Sequence, residues 1–77
     1  MNIEKAISIG SKILRDKFIH NPKLDSEILM AKTLHKDRHF ILLNSHNNIN
    51  KNDLNYFYDL IKQRSSSNPI AYLINKK

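Results

Sequence analysis

The chain has 77 residues, 40% of them hydrophobic and 26% charged, with 13 Lys and Arg against 7 Asp and Glu for a formal charge of +6. That is the length of one domain and the composition of a globular chain. The absence of cysteine excludes a disulfide framework and thiolate metal ligation, and one glycine with two prolines is too little turn material for a hairpin-rich β fold. No apolar run approaches the ~20 residues that span a bilayer. Met1-Asn2-Ile3-Glu4-Lys5 also lacks the basic region and apolar core of a signal peptide, so a cytoplasmic protein with no membrane partner is expected.

From Asn2 to about residue 19, Ile3, Ala6, Ile7, Gly10, Ile13, Leu14 and Phe18 recur at helical spacing and form one apolar stripe. Gly10 lies on that stripe, where a helical glycine costs about 1 kcal/mol against alanine; close approach of another helix would offset it. His20-Asn21-Pro22 is a break and restart, with Asn21 as cap and Pro22 at the first helical position. The second helix, 22–35, carries Leu24, Ile28, Ala31, Leu34 and His35 as its inner face, widened by Leu29 and Met30. Asp37 caps a short third helix, 38–44, with Phe40, Ile41, Leu42 and Leu43. That run could be a strand, but the chain offers no partner strand.

The stretch from Asn44 to Asn50 is loop-like, because its short polar side chains compete with helical hydrogen bonds. Ile49 is expected to tuck in ahead of the next helix. Asn50 caps that helix, 51–65, on which Leu54, Phe57, Tyr58, Ile61 and Arg64 share a side. Ser65-Ser66-Ser67 ends it. Asn68-Pro69 then starts a final turn, Ile70-Ala71-Tyr72-Leu73-Ile74. The expected fold is all-α: a bundle of four main helices plus a short C-terminal helical turn, as a single domain over 1–77.

Chemistry is sparse in this pattern. The only glycine sits inside a helical stripe, so no Gly-rich loop can cradle a phosphate or nucleotide. Of His20, His35, His39 and His46, the pair 35/39 has helical spacing, but neither a third ligand nor a motif accompanies it. Asp25 and Glu27, two apart on a helix, do not share a face, which argues against paired acid–base work. Tyr56, Phe57 and Tyr58 could stack on bases, but at helical spacing only some of them point the same way, and core packing is the favoured reading. Asn68-Pro69-Ile70-Ala71-Tyr72 lacks the second proline of the Asn-Pro-Pro-Tyr loop of amino methyltransferases and opens a helix. No catalytic, cofactor-binding or metal-binding residue is assigned.

Three stretches together carry a resemblance over essentially the whole chain. They are Asn21-Pro22-Lys23-Leu24-Asp25-Ser26-Glu27-Ile28-Leu29-Met30-Ala31; Lys36-Asp37-Arg38 with Phe40-Ile41-Leu42-Leu43; and Arg64 with Asn68-Pro69-Ile70-Ala71-Tyr72-Leu73-Ile74. In order and separation they resemble the N-terminal domain of the HemK family, the release-factor glutamine methyltransferases also called PrmC. Where that family has glycines, this chain has His35-Lys36, Ser67 and Asn75. Asparagine is among the residues that tolerate positive φ.

The resemblance implies a larger parent enzyme that uses S-adenosylmethionine to methylate the glutamine of the Gly-Gly-Gln loop in peptide-chain release factors. Its cofactor site and catalytic loop would lie in a C-terminal domain following Lys77. This chain would be the non-catalytic, substrate-recognising part and would not bind the cofactor itself. The resemblance also marks Asp25, Arg64, Pro69 and Tyr72 as structural residues, with Asp25 and Arg64 expected to approach each other and fix the second helix against the fourth. The rival reading is a small basic nucleic-acid-binding module. Basic residues spread along the chain disfavour it, since such a module concentrates its charge on one face.

Overall fold

The computed structural model describes residues 1–66 and 68–74. Among these residues five helices follow one another: α1 (Ile3–Asp16), α2 (Pro22–Leu34), α3 (Arg38–Leu43), α4 (Lys51–Ser65) and α5 (Ile70–Ile74). Among the described residues the β pairing is confined to a single bridge, Asn2 with Asn48, and the fold is a small all-α bundle. Among the described residues no helix is long and apolar enough to cross a membrane.

Short polar side chains start three of the helices. Asn2 accepts the Lys5 N–H, Asp37 the Phe40 N–H and Asn50 the Asp53 N–H, each at 2.8 Å. The next free N–H groups of α1 are met by the polar loop before α4: Ile3 donates to the Asn47 carbonyl and Glu4 to that of Ser45, both at 2.9 Å. Ile49 N–H in turn reaches the Met1 carbonyl, and its side chain is buried.

Asn21 departs from its expected role. Its backbone is left-handed (φ 56°) and its side chain makes no capping bond. Capping needs an extended backbone, whereas the five-residue reversal between α1 and α2 requires left-handed residues. Asn21 supplies one and holds α2 by its carbonyl, which accepts the Asp25 N–H. At the other restart α5 begins at Ile70, so Pro69 rather than Asn68 precedes it and its carbonyl accepts from Tyr72 and Leu73.

The end of α1 corrects the apolar stripe. The helix stops at Asp16, and the Ile19 N–H bonds back to the Leu14 carbonyl while that of Phe18 bonds to Arg15. This six-to-one, five-to-two pattern normally places glycine at the left-handed position. Here that residue is Phe18 (φ 61°), and its side chain is 95% exposed. Ile19 swings onto the core in its place, and Ile13 stands at the edge of solvent. The end of α2 repeats the pattern: Lys36 bonds to Ala31, His35 to Lys32, and His35 takes the left-handed geometry (φ 56°) that glycine would favour. Ser67 and Asn75 lie outside the described residues.

Packing is centred on α2, which touches α1, α3, α4 and α5. Its inner side is Ser26, Leu29, Met30 and Thr33; Leu24 and His35, expected inside, are exposed and Ile28 is half-buried. Hydrophobicity misplaces this face because a helix enclosed on several sides also buries polar groups when their bonds are met. The Thr33 hydroxyl donates to the Leu29 carbonyl and the Ser26 hydroxyl to that of Ile7, each at 2.8 Å. From the other helices, Ile3, Ala6, Ile7, Leu14, Ile41, Phe57, Leu60, Ile61 and Leu73 complete the core.

Gly10 sits where α1, α2 and α4 converge. A β-carbon there would lie 2.8 Å from Ser26 Oγ and 2.9 Å from both Ile61 Cδ1 and Phe57 Cζ. Gly10→Ala therefore sets a gain of ~1 kcal/mol in helix propensity against ~1–3 kcal/mol of overpacking. The expected net loss is about 1 kcal/mol, seen as a lower midpoint in thermal or urea unfolding; an unchanged midpoint would show that the junction has slack. Phe18→Gly should act oppositely. Relief of ~1–2 kcal/mol of left-handed strain outweighs ~0.4–1 kcal/mol of added unfolded-state entropy, and the midpoint should rise.

Candidate functional site

Polar side chains that tie helices together are concentrated at the start of α2. Asp25, in its first turn, accepts from Arg64 Nε of α4 at 2.9 Å, and the two side chains are 8% and 19% exposed. Arg64 Nη1 also donates to the Asn68 carbonyl at 3.2 Å, so one guanidinium joins α2, α4 and the segment leading to α5. Pro69 follows that carbonyl and is exposed. Tyr72 is exposed too, while its neighbour Leu73 is buried and Ile70 packs against the core. Of the four motif residues, the structure joins Asp25 to Arg64 and leaves the side chain of Tyr72 at the surface.

A second pair went unread in the sequence. Glu27, 8% exposed, accepts from Arg38 Nη2 of α3 at 2.9 Å, with Arg38 itself half-exposed. Its signal was available in the two-residue spacing of Asp25 and Glu27. Side chains that do not share a helix face can each meet a different neighbouring helix.

The remaining candidates disperse. All four histidines are exposed, and among the described residues no group of three His, Cys, Asp or Glu is placed to hold a metal. In the aromatic run, Phe57 is core, its ring 5.8 Å from that of Tyr58, and Tyr58 is half-buried beside Met1. Only Tyr56 of the three is exposed.

An open groove of about 590 Å³ runs between α1, the start of α2 and α3. Ile7 and Ile41 lie at its base and Leu42 on its wall, with Lys12, Arg15 and Lys23 among the charged residues that border it. Glu4 and Glu27 also line it, the latter engaged by Arg38. Its walls come from three elements, so no single stretch of sequence announces it. The arrangement offers cations, hydroxyls and apolar surface.

Comparison with known proteins gives a consistent result. The profile described as PrmC N-terminal domain matches residues 5–74. The chain is 34% identical over its full length to the release factor glutamine methyltransferase of Buchnera aphidicola, covering 27% of that protein. It is 32% identical over 99% of its length to the enzyme of the same name from Clostridium acetobutylicum, again covering 27%. With the bifunctional methyltransferase of Rickettsia bellii it shares 28% identity over 99% of its length, covering 14%. The chain thus spans about a quarter or less of these relatives. No solved structure matches it significantly.

The two ion pairs should respond differently to truncation. Asp25→Ala leaves Arg64 mostly enclosed without its carboxylate and should cost about 3 kcal/mol, near the range for breaking a buried pair. Arg38→Ala removes a half-exposed partner, solvent can reach the carboxylate left behind, and the cost should be about 1 kcal/mol. Equilibrium urea unfolding of both variants checks the order; equal losses would show that burial does not govern these pairs.

Proposed function

The chain belongs to the PrmC N-terminal domain family, and on that basis we propose that it is the non-catalytic, substrate-recognising domain of a larger methyltransferase. In this reading a C-terminal catalytic domain carries S-adenosylmethionine and methylates the glutamine of the Gly-Gly-Gln loop of peptide-chain release factors in the cytoplasm. The observation that carries it is the match along 5–74, joined to 34% and 32% identity along this chain with proteins named release factor glutamine methyltransferase. The character of the described residues supports the division of labour. Their buried polar groups are met by one another or by backbone carbonyls, and their exposed groups suit a protein surface.

Recognition by a separate domain adds binding energy remote from the reacting glutamine, which can be used to orient it. The test compares the full-length enzyme with a version lacking residues 1–77 on intact release factor. Deletion should lower kcat/KM by roughly tenfold or more, ~1.4 kcal/mol of transition-state stabilisation. The affinity for S-adenosylmethionine, measured by calorimetry, should stay unchanged. Equal specificity constants would refute a recognition role, and saturable cofactor binding by the 77-residue chain alone would refute the division of labour.

A further inference from the structure

We propose that the groove between α1, α2 and α3 is the docking site for an acidic, apolar-bearing segment of the protein partner. This rests on the recognition reading above and adds where the partner sits and which chemistry holds it. The groove has a volume in the range of pockets that enclose a ligand-sized group. Lys12 and Arg15 of α1 and Lys23 of α2 are exposed along it, and none forms an ion pair with a described residue. Between them lie apolar contacts: Leu42 is 53% exposed above the buried Ile7 and Ile41. Uncommitted cations flanking an apolar floor complement a segment that presents carboxylates beside a hydrophobic side chain.

The same observations disfavour a polyanion. Glu4 borders the groove, and Glu27 places a second carboxylate in its lining, already satisfied by Arg38. A phosphate backbone would meet repulsion there, whereas a protein segment can set its carboxylates against the three cations and leave the acidic part to a neutral or basic residue. The aliphatic floor likewise offers a methyl-bearing side chain better contact than it offers a stacked base, for which aromatic platforms are the usual support.

Two bonds brace the walls of the groove. Its α1 wall is held to α2 by the Ser26–Ile7 bond, and its α3 wall by Glu27–Arg38. Preorganised walls cost less ordering on association.

Titration of the 15N-labelled chain with purified release factor from the same organism, followed by amide chemical shifts, tests the assignment. A short single-stranded oligonucleotide serves as the competing probe. Expected are release-factor shifts centred on Ser8, Lys12, Arg15, Lys23 and Leu42, with weaker affinity at higher salt. The triple variant Lys12→Glu, Arg15→Glu, Lys23→Glu should weaken binding roughly tenfold or more, and Leu42→Ser roughly fivefold, with unfolding midpoints unchanged. Release-factor binding that keeps its wild-type affinity in the triple variant, with shifts on another face, would overturn the groove and leave the recognition reading standing. Absence of any release-factor shift would remove both. Saturable oligonucleotide shifts along the same residues would overturn the protein segment in favour of nucleic acid.

Discussion

Three consecutive residues near the start of α2 bond to three different helices, and the arrangement of the domain depends on them. Asp25 meets Arg64 of α4, Ser26 donates to the Ile7 carbonyl of α1, and Glu27 meets Arg38 of α3. Successive helical side chains diverge by about 100°, so one turn can address three neighbours if they stand around it. Apolar packing alone is tolerant of small rotations and slides. These bonds are not. Turning α2 by one position would strand a carboxylate among apolar groups and leave a guanidinium unanswered, a penalty of several kcal/mol. The polar turn therefore selects one orientation of the central helix.

Gly10 is the condition on which that hub closes. Its missing β-carbon lets α1 come near enough for Ser26 to reach the Ile7 carbonyl, while Phe57 and Ile61 of α4 fill the other side of the same spot. The hub also explains why polar residues are tolerated in so small a core. No buried side-chain nitrogen or oxygen among the described residues lacks a partner, so each contributes specificity without the cost of an unmet group.

How much could be read beforehand follows from the same geometry. A helix with one buried face announces it, and the Ile3, Ala6, Ile7, Gly10, Leu14 stripe of α1 is the buried one. The caps at Asp37 and Asn50 depend on local chemistry alone and were legible for that reason. A helix surrounded by neighbours has no single face to announce, and α2 hides polar residues where the pattern placed Leu24 and His35. Turn handedness was illegible for a different cause. Phe18 and His35 occupy positions where the signal would be glycine, and nothing in either residue foretells a positive φ. At the candidate site, Asp25 and Arg64 were marked by the family-like motif. Glu27–Arg38 and the groove required knowing which helices are neighbours.

The hub also constrains where function can reside. Arg64, Arg38, Asp25, Glu27 and Ser26 are engaged with one another or with the backbone across helix contacts, so among the described residues the buried polar groups are already committed to holding helices together. What remains uncommitted is outside: the cations of the outer face of α1, Lys23 at the entry to α2, and the exposed leucines of α3. Surface charge of one sign raises the rate of encounter with an oppositely charged partner, and an apolar strip between the charges slows its departure. In the proposed role, a polar interior that fixes the domain's shape and an exterior that carries such a strip would hold another protein in register while the reaction proceeds in a separate domain. Under the proposed recognition role the sparse chemistry of the sequence is what would be expected, because a positioning surface works by shape and charge and needs no reacting group.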